Sequence, residues 1–181
     1  MKRLTLIQAA LCLIGVSLVS LIPQAYSAIR YDFYLQSFVL AIVCSVPLLA
    51  FGYYFLSKKG QHWKAFHDIY LMIRESQFGR AIEFGTPFWF LLISALAGVF
   101  EELIFRGVLQ NKIGLIPSAL LFGLVHFVNW TYFLITFLIG LYLGAVYYLS
   151  EVNLLVPSFI HFIYDLVLLF WFQKKILRGD L

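Results

Sequence analysis

Long apolar runs, broken by short polar or basic stretches, set the pattern of this chain. A membrane-crossing helix needs about 20 apolar residues at 1.5 Å rise each. Six runs are candidates: residues 4–24, 37–56, 86–112, 117–129, 131–150 and 152–173. The fourth is short and can begin earlier, near Ile113. The third continues through "GVLQNK" past Arg106, which puts its midpoint close to Glu101. Between the second and third lies "SKKGQHWKAFHDIYLMIRESQFGR". There Trp63, Phe66, Ile69, Tyr70 and Ile73 recur at helical spacing and predict an amphipathic helix on the membrane surface. The pattern predicts an all-α fold, a polytopic membrane bundle of about six transmembrane helices with one interfacial amphipathic helix. Residues 1–85 read as an N-terminal two-span region with its amphipathic loop, and 86–181 as a core of about four spans, within a single membrane domain.

Composition strengthens that reading. Of 181 residues, 62% are hydrophobic and only 12% charged, about half the charged share of a soluble domain. Too little polar surface exists to cover a water-soluble globule, so the bilayer is the expected solvent. The net charge of +4 is no nucleic-acid signature, because the basic residues cluster at the ends of apolar runs. With the N-terminus inside, Lys2, Arg3, Lys58, Lys59, Lys64, Arg74, Arg80, Lys174, Lys175 and Arg178 face the cytoplasm, against Arg30, Arg106 and Lys112. That bias predicts a multi-pass cell-membrane protein with both termini cytoplasmic. Ala25-Tyr26-Ser27 resembles a signal-peptidase site, but the apolar core before it is longer than a signal peptide needs. Cys12 and Cys44 lie inside apolar runs and read as small buried hydrophobes.

Against that background, Glu101, Glu102, Arg106, His126, His161 and Asp165 stand out, because all fall inside predicted spans. A charged side chain at the bilayer centre costs roughly 2.5–3.5 kcal/mol on insertion scales, so three carboxylates cost on the order of 8 kcal/mol before compensation. A polar interior site is the default explanation; interhelical glue is usually made more cheaply from Ser, Thr, Asn or Gln. Glu102 and Arg106 are i,i+4 with the acid first, the favoured order for a pair. Glu101, rotated about 100° away, is then the spare carboxylate. Phe122 and His126, and His161 and Asp165, are also i,i+4 pairs. Counting rise from the outer helix ends puts Glu101, His126, His161 and Asp165 about 14–20 Å down, in one layer opening outward.

A carboxylate in a poorly hydrated site is a competent general base near neutral pH. One histidine can hold the attacked water and the other can donate to a developing oxyanion. Glu101, His126 and His161 can alternatively hold Zn²⁺ with an open position. No H-E-x-x-H helix is present.

"EELIFR", "FGLVH" and "HFIYD", in this order, resemble the three core motifs of the CPBP family of intramembrane proteases. That family includes the CAAX prenyl proteases and the bacteriocin-processing, Abi-type proteins. The resemblance covers about residues 86–173. It implies a glutamate-type intramembrane endopeptidase with Glu101 activating water beside His126, and His161 and residue 165 stabilising the oxyanion. Glu102, Arg106 and Phe122 would be supporting residues. It implies no required cofactor, with Zn²⁺ as the alternative, and as partners a membrane-protein or lipidated-peptide substrate, the lipid bilayer, and no nucleic acid. Family members often carry Asn where this chain has Asp165; an ionised Asp would repel an oxyanion, so Asp165 is expected to orient His161 instead. With the site opening outward, the tail of an exported protein fits better than a prenylated cytosolic substrate; a bacteriocin-type precursor is a further candidate.

Two other classes compete. A non-enzymatic membrane immunity or partner protein could retain the scaffold, and a proton-coupled transporter could use the same buried groups. Against the latter stand the small size and the lack of inverted-repeat signals. Gly140 and Gly144 read as a small-xxx-small packing stripe. Asn129 is expected to cap a helix C-terminus, and Trp130 and Tyr132 to anchor at the interface. His62 and His67 lie in the polar loop and carry no expected site role.

Overall fold

A computed structural model describes residues 30–179. The predicted first span, and any cleavage before Ala28, lie outside the described residues. Helices dominate: α1 (Leu35–Leu56), α2 (Lys58–Gln61), α3 (Lys64–Glu75), α4 (Gln77–Glu83) and α5 (Pro87–Glu102). The last continues through a π-helical segment, Leu103–Gln110, and a final turn, Asn111–Ile113. Then come α6 (Leu115–Val125), α7 (Trp130–Leu149) and α8 (Leu155–Arg178). Among the described residues, four helices are long and apolar enough to cross a membrane: α1, Pro87–Ile113, α7 and α8. The expected polytopic helical bundle is present.

Local chemistry explains the boundaries. Thr86 accepts the amide of Trp89 at 3.2 Å and Pro87 follows at the first helical position, so α5 starts there. Gly114, at φ 88°, makes the reversal that sends α6 back along α5; a side chain would be strained in that conformation. Asn129 accepts the amide of Tyr132 at 2.8 Å. It is therefore the N-cap of α7, not the expected C-cap, because α6 has already stopped at Val125. With 11 residues α6 is about 16 Å long. The run 117–129 was expected to be helical throughout, but its last four residues form the connection.

α8 lies against both α1 and α5, and α7 against α6. Two apolar clusters result. One joins Ala41 and Leu48 of α1 to Leu143, Val146, Val156 and Ile160. The other, at the opposite end, joins Phe55, Leu56, Phe90, Leu169, Phe172 and Ile176 to Ile69, Tyr70 and Ile82 of the short helices. The expected amphipathic helix is α3, and part of its apolar face packs on the bundle. Ile69 and Tyr70 are fully covered, and the Tyr70 ring lies 5.0 Å from that of Phe172. Lys175 locks the same end, donating to Leu56 O at 2.8 Å. Val39, Ile42, Val43 and Val46, on the other side of α1, are all more than half exposed, as a lipid-facing stripe requires.

At the opposite end, residues 30–34 form a strap over the α7–α8 connection. Buried Asn153 uses all of its hydrogen-bonding capacity there. It accepts from the amides of Asp32 and Leu155 and donates to Asp32 O and Ser37 Oγ, each at 3.0–3.1 Å. Leu154 N donates to Arg30 O at 2.8 Å, and the Arg30 side chain pairs with Asp32.

Close approach of α5 and α8 depends on Gly98. A Cβ at this position would lie 2.7 Å from Ser158 O and 3.0 Å from Phe162 N, both backbone atoms. Gly98→Ala is expected to push the helices apart and destabilise the fold by about 1–3 kcal/mol. Thermal unfolding in detergent micelles measures this; an unchanged midpoint would mean that the contact is not needed.

Candidate active site

Between the two apolar clusters sits a polar layer made by α5, the π-helical segment, α6, α7 and α8. Glu102 is at its centre, fully buried. Its Oε1 accepts from Arg106 Nη1 at 2.8 Å and meets His161 Nδ1 at 2.8 Å. The i,i+4 pair read from sequence is therefore made. Its extension to His161 was not legible, because it crosses from α5 to α8.

Arg106 is as deeply buried as its partner. Its Nη2 donates to Gly140 O on α7 at 3.0 Å, and its guanidinium lies 4.7 Å over the Phe122 ring. One turn further, Gln110 Nε2 donates to Gly144 O at 2.9 Å. Gly140 and Gly144 thus do more than allow close packing: they leave their carbonyls open to side-chain donors from the π-helical segment. A Cβ on Gly144 would lie 2.4 Å from Gln110 Oε1. Gln110 escaped the sequence reading, although Glu102, Arg106 and Gln110 continue one i,i+4 stripe.

The π-helical segment departs from the uninterrupted α-helix expected over 86–112. Two of its carbonyls bond side chains: Ser118 Oγ donates to Phe105 O at 2.6 Å and Asn111 Nδ2 to Gly107 O at 2.9 Å. Side-chain donors inserted in this way stabilise a widened turn, and such turns concentrate at functional sites.

Glu101 points away from the ion pair, as its rotation predicts. Its Oε2 lies 3.5 Å from His126 Nε2 and 4.0 Å from His161 Nε2. Asp165 Oδ2 lies 3.4 Å from that same His161 nitrogen. Glu101, His126 and Asp165 are 25–30% exposed, whereas Glu102 and Arg106 are sealed. The layer therefore has an accessible side and a closed side. His126 occupies the C-cap position of α6, where its Nδ1 lies 2.8 Å from Phe122 O. With Nδ1–H donating to that carbonyl, Nε2 is turned toward Glu101. The Phe122 ring lies 4.5 Å from the His126 ring, tilted by 38°, and packs between Arg106 and both histidines. His161 is held by Glu102 at Nδ1, the role expected of Asp165, which sits instead at Nε2. Carboxylates at both ring nitrogens complement a ring with N–H on each.

Both histidines engage their second nitrogen as metal-bound histidines usually do. Among the described residues, however, no three His, Cys, Asp or Glu groups are disposed to hold a metal ion.

A carboxylate and two histidines thus gather from three helices beside an accessible edge of an apolar bundle, an arrangement with the chemistry to exchange protons. Residues 83–167 match the sequence model of a family described as "Rce1-like: Type II CAAX prenyl endopeptidase Rce1-like". That segment contains all six singled-out ionisable residues, and its match bears out the resemblance read from the three motifs. The chain is also 36% identical over 93 residues to the "Uncharacterized protein YpbD" of Bacillus subtilis (strain 168), covering 50% of this chain and 49% of that protein. The chain thus spans about half the length of this curated relative. No solved structure matches.

Removing one member of a sealed ion pair strands the other. Arg106→Leu is expected to destabilise by about 3–5 kcal/mol, and Arg106→Leu with Glu102→Gln to recover part of that loss. Chemical unfolding in micelles separates the two; equal stability of the single and double variants would refute the coupling.

Proposed function

We propose that this protein is an intramembrane endopeptidase that hydrolyses a peptide bond of a membrane-associated substrate. The observation that carries the reading is the convergence of His126 Nε2 and His161 Nε2 on Glu101 Oε2, at 3.5 and 4.0 Å, between a sealed ion-pair network and the accessible edge. A water hydrogen-bonded to both Glu101 and His126 fits these separations. Glu101 takes its proton and the hydroxide oxygen bonds to the scissile carbonyl carbon. The electron pair displaced onto the carbonyl oxygen is met by the His161 Nε2–H. Collapse of the tetrahedral intermediate breaks the C–N bond, and Glu101 returns the proton to the leaving amine.

Asp165 lies 3.4 Å from the His161 nitrogen that faces the oxyanion and so helps to orient that ring. Glu102 and Arg106 hold that ring, and Phe122 separates the two histidines. Roles are thereby divided between a sealed set that positions and an accessible set that reacts.

The positive-inside bias supports a multi-pass cell-membrane protein with the basic end of the bundle, bearing α2–α4 and the end of α8, in the cytoplasm. α6 stops at His126, and Phe127, Val128 and Trp130 beyond it are exposed. This supports entry from the α6–α7 connection at the basic end, in place of the outward opening expected from helix depth. A substrate with a lipidated cytoplasmic tail suits that entry, whereas the tail of an exported protein would need the opposite one.

Two quenched fluorogenic peptides presented to proteoliposomes test the reading. One carries a prenylated Cys-aliphatic-aliphatic-X tail, the other a transmembrane sorting tail. Wild-type protein should cleave the first. Glu101→Gln should lower turnover by about 10²–10⁴-fold at unchanged folded protein level. Cleavage of neither peptide, or retained cleavage in Glu101→Gln, would overturn the proposal. Turnover should also survive a chelator; its loss, restored by Zn²⁺ alone, would instead assign the attacking water to a metal.

A further inference from the structure

α6 carries a single polar side chain in its 11 residues, Ser118 in "LIPSALLFGLV". That serine is 2% exposed, and its hydroxyl does not bond back to its own helix, the usual recourse of a serine inside a helix. It donates across to Phe105 O in the π-helical segment, at 2.6 Å. Phe122 and His126 follow Ser118 along one i,i+4 stripe of α6. Each member of the stripe meets the neighbouring helix in antiparallel order. Phe122 packs on the Phe105 ring at 5.0 Å with the Arg106 guanidinium 4.7 Å over it, and His126 Nε2 lies 3.5 Å from Glu101 Oε2. The adjoining face of α6 is apolar and lies on α7: a Cβ on Gly123 would sit 3.1 Å from Phe137 Cβ, and one on Gly140 3.3 Å from Ala119 Cβ. Apolar contact is non-directional, so it holds a helix against its neighbours without fixing how far it slides along them. A hydrogen bond does fix it, since little of one remains by about 3.6 Å. The N-terminus of α6 adds no such hold, because Gly114 caps it without a side-chain bond.

We infer that Ser118 is a positioning residue of the active site: its bond to Phe105 O sets the register of α6 along the π-helical segment, and that register places His126 Nε2 at Glu101. Ser118 and His126 are eight positions apart, about 12 Å along the helix, so the serine acts through the helix and not by contact. Its anchor is well chosen. Phe105 stands one turn after Glu101 on the same continuous helix, so the carbonyl that holds Ser118 and the carboxylate that faces His126 move together. A carbonyl oxygen has two lone pairs, which lets Phe105 O serve the hydroxyl without giving up a backbone amide. A slip of one turn would carry His126 about 5.4 Å along the helix axis, beyond reach of Glu101. Displacements of about 1 Å are already felt by a reaction that depends on aligned groups. One polar residue at a helix contact is the known means of fixing register where apolar packing leaves it open. This inference rests on the endopeptidase reading for its kinetic consequence, but not for its structural one.

The test uses full-length protein labelled with ¹⁵N-histidine in micelles, its His126 signals assigned by their loss in His126→Gln. Ser118→Ala removes only a hydroxyl. It should shift the His126 Nε2 signal and leave in place those of His62, His67 and the His161 Nδ1 held by Glu102. Ser45→Ala is the control: Ser45 is buried to the same degree, but its hydroxyl bonds its own helix, at Ile42 O. It should leave His126 where it is. On the prenylated peptide, Ser118→Ala should lower kcat by about 10–100-fold with KM unchanged, and Ser45→Ala should not. An unmoved His126 signal in a folded Ser118→Ala protein would overturn the inference. So would a shift of all four histidines together with a lowered thermal midpoint, which marks a structural role alone. Should Ser118→Ala not fold, Ser118→Cys, which keeps a weaker donor, decides by the same signal: a shift supports the inference and an unmoved signal overturns it. If wild-type protein cleaves neither peptide, the endopeptidase reading fails and the histidine spectra still decide this one.

Discussion

A carboxylate placed in an apolar interior is tolerated only if its charge is matched and its oxygens are supplied, and in this bundle Glu102 sets that demand. Arg106 and His161 both meet its Oε1 at 2.8 Å. Arg106 carries the demand further, since a sealed guanidinium has five donors to place. One goes to Gly140 O, which requires α7 to lie close and to present a bare backbone there. The π-helical segment, the Gly140–Gly144 stripe and the position of α8 are all consistent with satisfying these two charges together. Polar networks of this kind stabilise little on balance, but they allow few alternative arrangements.

Apolar packing then decides where the network can sit. One hydrophobic cluster closes the end near the strap, and the other closes the end near α3 and α4. Between them the layer is sealed toward α7 and α8 and accessible where α6 ends. The short α6 thus has a direct consequence: a helix of full length would cover Glu101 and His126. Conversely, α3 packs Ile69 and Tyr70 into the bundle, while Trp63 and Met72 stay exposed at the same end.

Much of this was legible in the chain. The 3.6-residue periodicity and the length of the apolar runs marked every long helix among the described residues to within a few positions. The cost of ionisable groups in apolar runs singled out six residues that the fold brings into one layer, and i,i+4 spacing identified the Glu102–Arg106 pair and set Glu101 apart from it. What escaped were contacts made across helices. Glu102 with His161, and Arg106 and Gln110 with the Gly140 and Gly144 carbonyls, join residues far apart in sequence, and no local pattern encodes them. Asn129 was placed at the wrong helix end because a polar residue between two apolar runs caps either one; the early stop of α6 decided which.

The sequence by itself determined the helices and the chemical inventory, since hydropathy, periodicity and the price of a buried charge are properties of short stretches. Only the tertiary structure decided which nitrogen of each histidine faces Glu101, which carboxylate holds His161, and that the long helix widens into a π-turn beside the site. Those outcomes depend on distances of a few ångströms between side chains on different helices, and only the packed bundle sets such distances.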